Sequence, residues 1–143
     1  MRYIPPSPSR LAVGLRRFFA GEGGKWLLKT VEFDHNEGSC LLVAQCLKAI
    51  LPESRVVTLL GDRQSYRLPE HYGVAWKGWY FDGNGGFSSA AAWLAAFGKL
   101  FPRTPVVLAD RYVRYNQISN YSWFREDLVA LLKETLPAGS RPS

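Results

Sequence analysis

Residues 40–51 (CLLVAQCLKAIL) are apolar on nearly every side, broken only by Gln45 and Lys48, and end at Pro52. A helix without a polar face has to be wrapped by other elements, so this segment reads as a buried central helix around which the rest of the chain folds. It is not a membrane span. Nor is the longest strongly apolar stretch, Ala90 to Phe97, against the roughly 20 residues a span requires. The chain of 143 residues is 47% hydrophobic and 14% aromatic, enough for one well-packed core and far from a disordered composition. Its first twenty residues carry Arg2, Arg10, Arg16 and Arg17 with prolines between them. They lack the compact apolar run of a secretory signal, which makes the cytosol the expected compartment.

Turn and cap residues divide the remainder. Residues 1–8 (MRYIPPSP) read as an extended arm, kept out of a helix by proline. Ser9 is expected to cap a helix running to about Ala20, stopped by Gly21, Gly23 and Gly24. Residues 25–33 (KWLLKTVEF) fit a strand or a helix, and 34–39 form a polar loop. Residues 55–60 (RVVTLL) are a β-branched strand ended by Gly61-Asp62. His71–Trp76 and Trp79–Asp82 flank Lys77-Gly78 as a hairpin. GNGG at 83–86 is expected as a turn; it lacks the lysine and spacing of a phosphate cradle. Ser88 or Ser89 then caps a helix to about Leu100, closed by Pro102. Residues 105–109 (PVVLA) read as an interior strand, and Arg125–Leu136 as a final amphipathic helix before a flexible tail over 137–143. The expected fold is a single α+β domain over residues 9–136, its central helix packed on a small antiparallel sheet.

The two cysteines, Cys40 and Cys46, would lie about 9 Å apart along a shared helix, too far for a disulfide's roughly 7 Å limit. They also point apart around it. With no CxxC pair and no i, i+4 histidines, neither a metal nor another cofactor is expected. Cys46 reads as a core residue. Cys40 differs: with Ser39 as N-cap it is the first helical residue, where free amides and the helix dipole favour a thiolate. Gly38 clears space for a substrate in front of it. His71 opens a strand, and a two-residue Lys77-Gly78 turn sets Trp76 opposite Trp79, Ala75 opposite Tyr80 and Gly73 opposite Asp82. His71 and Asp82 then share one face as diagonal neighbours, with Gly73 leaving room between them. An acid there would orient the imidazole, which would activate the thiol.

GSCLLVAQCL followed by HYGVAWKGWYFDGNG resembles the core of the papain-like thiol enzymes, nearest to their transglutaminase-like, NlpC/P60-like and papain-fold toxin branches. The resemblance covers about residues 36–86. It implies a papain-like fold, with Cys40 as nucleophile, His71 as base and Asp82 as orienting acid, acting on a peptide, amide or other acyl substrate. Many such enzymes place Gln or Asn before the cysteine to help bind the oxyanion. No Gln precedes Cys40, and Asn36 is the candidate for that role.

The net charge of +6 is uneven: +4 over residues 1–33, −1 over 34–72 and +3 over 73–143. This motivates a second expectation, a non-catalytic basic module that meets an acidic protein surface through Arg10, Arg16, Arg17 and Lys25. A nucleic-acid partner would use the same residues with Phe18, Trp26 and Tyr115, and ranks last because no nucleic-acid motif accompanies them. Asp110, Arg111, Arg114 and Tyr115 could line a cleft, but their spacing specifies no reaction.

Overall fold

A computed structural model describes residues 3–31, 39–62, 68–114, 124–136 and 139 of the chain. In order they form α1 (Pro8–Ala20), α2 (Glu22–Thr30), α3 (Cys40–Ile50), β1 (Arg55–Gly61), β2 (Pro69–Trp76), β3 (Trp79–Asp82), β4 (Gly85–Phe87), α4 (Ala90–Leu100), β5 (Val106–Ala109) and α5 (Arg125–Thr135). The strands make one antiparallel sheet ordered β4-β3-β2-β1-β5. The class is α+β, as expected.

Side-chain alternation along β2 sorts the sheet into two faces. Tyr72, Val74 and Trp76 point into the main core with Leu11 and Leu15 of α1, Leu27 of α2, Leu42, Val43 and Leu47 of α3, and Leu128 and Leu132 of α5. Ala75 points the other way and joins Val57 and Leu59 of β1 beneath Trp93 and Phe97 of α4. One face therefore carries several helices and the other carries α4.

Helix α3 lies between β2 and α5, with contacts to β1 and β3. Cys40, Leu42, Val43, Ala44, Cys46, Leu47 and Ile50 are all buried. Burying a large aliphatic side chain is worth roughly 1.5–3 kcal/mol, so this helix anchors the fold. Ser39 occupies its N-cap position, although its side chain does not make the capping hydrogen bond. At the other end Pro52 stops the helix, and its carbonyl accepts from the Trp76 indole at 3.0 Å.

Several boundaries differ from those read in the sequence. Helix α1 starts at Pro8, which its fixed φ suits to a first turn, so the extended arm stops a residue sooner and Ser7, not Ser9, takes the cap position. Gly23 and Gly24 do not extend the break after α1; they lie inside α2, where the Phe18 ring and the Phe19 carbonyl press against them. The segment beginning at Lys25 is thus helical up to Thr30. GNGG is only partly a turn: Gly83-Asn84 reverses the chain, and Gly85–Phe87 returns as β4 with Asp82 opposite Gly85. Gly85 has φ +125°, and a Cβ there would lie 3.1 Å from the Ala12 carbonyl, so glycine lets α1 settle on this strand. The strand in 105–109 is an edge rather than an interior one. Among the described residues it pairs only with β1, and its side chains are half-buried.

Candidate functional site

The β2–β3 hairpin sets the site. Lys77 and Gly78 take φ of 49° and 78°, the left-handed pair of a tight two-residue turn. The ladder then pairs Trp76 with Trp79, Ala75 with Tyr80 and Val74 with Phe81, the register expected from the sequence. His71 and Asp82 consequently meet on the α4 side of the sheet. The His71 Nε2–H group donates to Asp82 Oδ2 at 2.8 Å, with both side chains almost fully buried.

Asp82 collects two further donors. The Trp93 indole N–H reaches the same Oδ2 at 2.8 Å, and the Asn84 amide reaches Oδ1 at 2.8 Å. The second bond is an Asx turn, so Asp82 also shapes the β3–β4 reversal. Burial alone would raise the carboxyl's pKa. The hydrogen bond and charge of His71, with the Trp93 and Asn84 donors, reverse that and hold it below the ordinary carboxylate range.

The other ring nitrogen of His71, Nδ1, is buried and makes no hydrogen bond of ordinary geometry. The Cys40 thiol nevertheless lies near enough to act on the ring both as a polar partner and as a charge. Burial pushes the imidazole pKa down. Asp82 and then Cys40 outweigh it and carry it up to about 10, so the buried ring holds its proton at neutral pH. Cys40 also stands within electrostatic reach of Tyr72, which projects from β2 toward the opposite face from His71.

Cys40 heads α3 and is itself buried, at 9% exposure, within the main core, where the buried residues after it on that helix are more closed still. Cys46, about one and two-thirds turns further, is sealed in the core; its thiol approaches the Arg125 carbonyl at 3.5 Å, and burial pushes its pKa up to about 12. Both cysteines are free. The rings of Phe97 and Trp93, centred 5.5 and 6.1 Å from the imidazole, complete an apolar wall around His71.

Asn36, the oxyanion-hole candidate, lies outside the described residues, as does Tyr115. Arg10, Arg16 and Arg17 on α1 and Lys25 on α2 are all exposed, while Phe18 and Phe19 beside them are buried. A groove of about 710 Å³ runs past Arg10, Val13, Arg17 and Glu22. Asp110 does not join the His71–Asp82 pair; it holds Arg55 in a bidentate pair at 2.7 and 3.0 Å. The segment that follows is pinned by Tyr72, whose hydroxyl donates to the Val113 carbonyl at 2.7 Å, and by Thr58, which bonds the Arg111 carbonyl and the Val113 amide. Among the described residues no group of three metal-ligating side chains occurs, and no helix is long and apolar enough to cross a membrane.

No sequence motif singles out Trp93. The signal available was the pairing of Gly73 with a helix capped at Ser89, whose first turn ends in a tryptophan. A Cβ on Gly73 would come within 2.7 Å of the Trp93 ring, so the space cleared by this glycine is filled by the indole itself. No family model matches the chain, and no curated protein or solved structure does so either.

Proposed function

We propose that the chain is a cysteine-dependent hydrolase or acyltransferase of papain-like type, with Cys40 as nucleophile, His71 as proton carrier and Asp82 as orienting acid. The observation that carries this reading is the 2.8 Å bond from His71 Nε2 to Asp82, which leaves Nδ1 for the thiol at the head of α3. An imidazolium fixed in this way favours a thiolate beside it, and the free amides of a helix N-terminus add to the effect.

In the reaction, Cys40 Sγ attacks the carbonyl carbon of an amide, ester or thioester, and the carbonyl oxygen becomes an oxyanion. Amide donors at the start of α3 are suited to receive it. As the tetrahedral intermediate collapses, His71 gives its Nδ1 proton to the departing amine, alcohol or thiol, leaving a thioester on Cys40. Water or an acceptor amine then attacks the thioester while His71 takes its proton. Release of the acyl product restores the sulfur–imidazolium pair.

Alkylation by iodoacetamide across pH tests the assignment. Cys40 is expected to react well below pH 8 and to lose that reactivity in His71→Ala. Equally slow labelling in both proteins removes the catalytic claim.

The exposed positions of Arg10, Arg16, Arg17 and Lys25, with Arg10 and Arg17 on the rim of one groove, favour a second reading: a basic module for an acidic protein partner. Salt-sensitive binding that survives Cys40→Ala supports it, and binding lost in that variant counts against it.

A further inference from the structure

Two donors converge on one oxygen of Asp82. The His71 ring and the Trp93 indole both reach Oδ2 at 2.8 Å, and the Asn84 amide takes Oδ1. A carboxylate so held cannot rotate without breaking bonds that water does not replace at 4% exposure. The indole is itself fixed. It stacks on Tyr80 at 5.6 Å, comes from the first turn of a helix capped by the Ser89 hydroxyl on the Ala92 amide, and lies over the backbone of Gly73. The wall it forms with Phe97 also screens the ion pair. Packing alone would be met by any flat ring. The N–H aimed at the carboxylate is a separate feature.

We propose that Trp93 is a positioning residue for the triad: its indole N–H holds Asp82 ionised and oriented, so that the carboxylate stays on His71 Nε2 and Nδ1 stays turned to Cys40. This rests on the reading of Asp82 as the orienting acid.

The groups facing Asp82 and His71 are Cys40 from α3, Trp93 and Phe97 from α4 and the Asn84 amide from the β3–β4 turn, with the Tyr72 phenol close to Cys40. Of the donors on Asp82, Trp93→Phe removes one and keeps a ring. The Asp82 carboxyl, followed by carbon NMR, should then titrate about one pH unit higher, a tenfold change in its protonation equilibrium. An unmoved midpoint with a lowered melting temperature would mean that the ring only fills space, and would overturn the proposal.

Should Trp93→Phe fail to fold, the unaltered protein still decides. Its Trp93 indole proton, assigned through contact with Tyr80, is expected downfield and exchanging slowly at pH 7. A shift and exchange rate like those of a solvent-exposed indole overturns the proposal as well. Neither measurement needs Cys40 to react. An inert Cys40 beside a shifted Asp82 therefore defeats the enzyme reading and leaves the positioning role, while the reverse pattern defeats only the latter.

Discussion

Gly73 and Trp93 are mutually dependent: the glycine's missing Cβ would stand 2.7 Å from both the Trp93 ring and the Phe81 carbonyl. Neither can yield easily, since one is backbone and the other is a buried indole bonded to Asp82. Gly73→Ala is therefore expected to cost about 1–3 kcal/mol by overcrowding. It should also weaken the Trp93–Asp82 bond. Denaturant unfolding measures the first effect and the exchange rate of the Trp93 indole proton the second.

Asp82→Asn keeps the shape of the carboxylate and removes its charge. With burial then less opposed, the His71 pKa should fall from about 10 by more than roughly three units, to below neutrality. Proton NMR of the imidazole reads this directly. Cys40 alkylation near pH 7 should slow in parallel, because an unprotonated ring no longer favours the thiolate.

The ion pair also gives stability a pH dependence. His71 is raised above its ordinary value near 6.5. Its contribution is therefore complete below that value and is lost as pH rises through the folded one. Asp82 is lowered, so its contribution is present above the ordinary carboxylate value and disappears as pH falls. The pair is thus worth most between about pH 4 and 6.5. In a Cys40→Ala background, which removes the thiol's own proton, stability relative to an additional His71→Gln change should shrink above pH 6.5. The slope should approach about 1.4 kcal/mol per pH unit. Urea midpoints at three pH values measure it.

The two thiols should separate cleanly. Cys46 is fully buried and its pKa is pushed up to about 12. Native protein should therefore give one reactive thiol with a disulfide reagent at pH 7.5, and the second only on unfolding. Cys46→Ala should leave that fast phase unchanged and lower stability by about 1 kcal/mol.

Arg55 and Asp110 form a surface pair with side chains 54% and 59% exposed. Despite its bidentate geometry, Arg55→Ala should change unfolding free energy by no more than about 1 kcal/mol, and less at high salt. A larger loss, measured by urea unfolding, would mean that this pair anchors β5.

Much of the site was legible because it depends on local rules. A two-residue Lys77-Gly78 turn admits one register, and alternation then sets His71 and Asp82 on a shared face. The apolar run after Ser39 admits little except a buried helix with Cys40 at its head. The misread elements depend on distant partners. Residues 22–30 carry two glycines that oppose a helix, and packing against Phe18 and Phe19 overrides them. The strand β4 has no apolar pattern; α1 resting on Gly85 and Gly86 gives it a place. The run 105–109 looks interior by composition, yet among the described residues it is the last strand of the sheet. Trp93 could be assigned to a helix from sequence, but its donor bond exists only once α4 lies across β2 and β3.

Helix α3 is gripped by the sheet on one side and α5 on the other. A mount clamped along its length cannot swing its first residue independently. Heating or denaturant should consequently disarm the sulfur in the same cooperative step that melts the core, with no earlier, softer failure of the site alone.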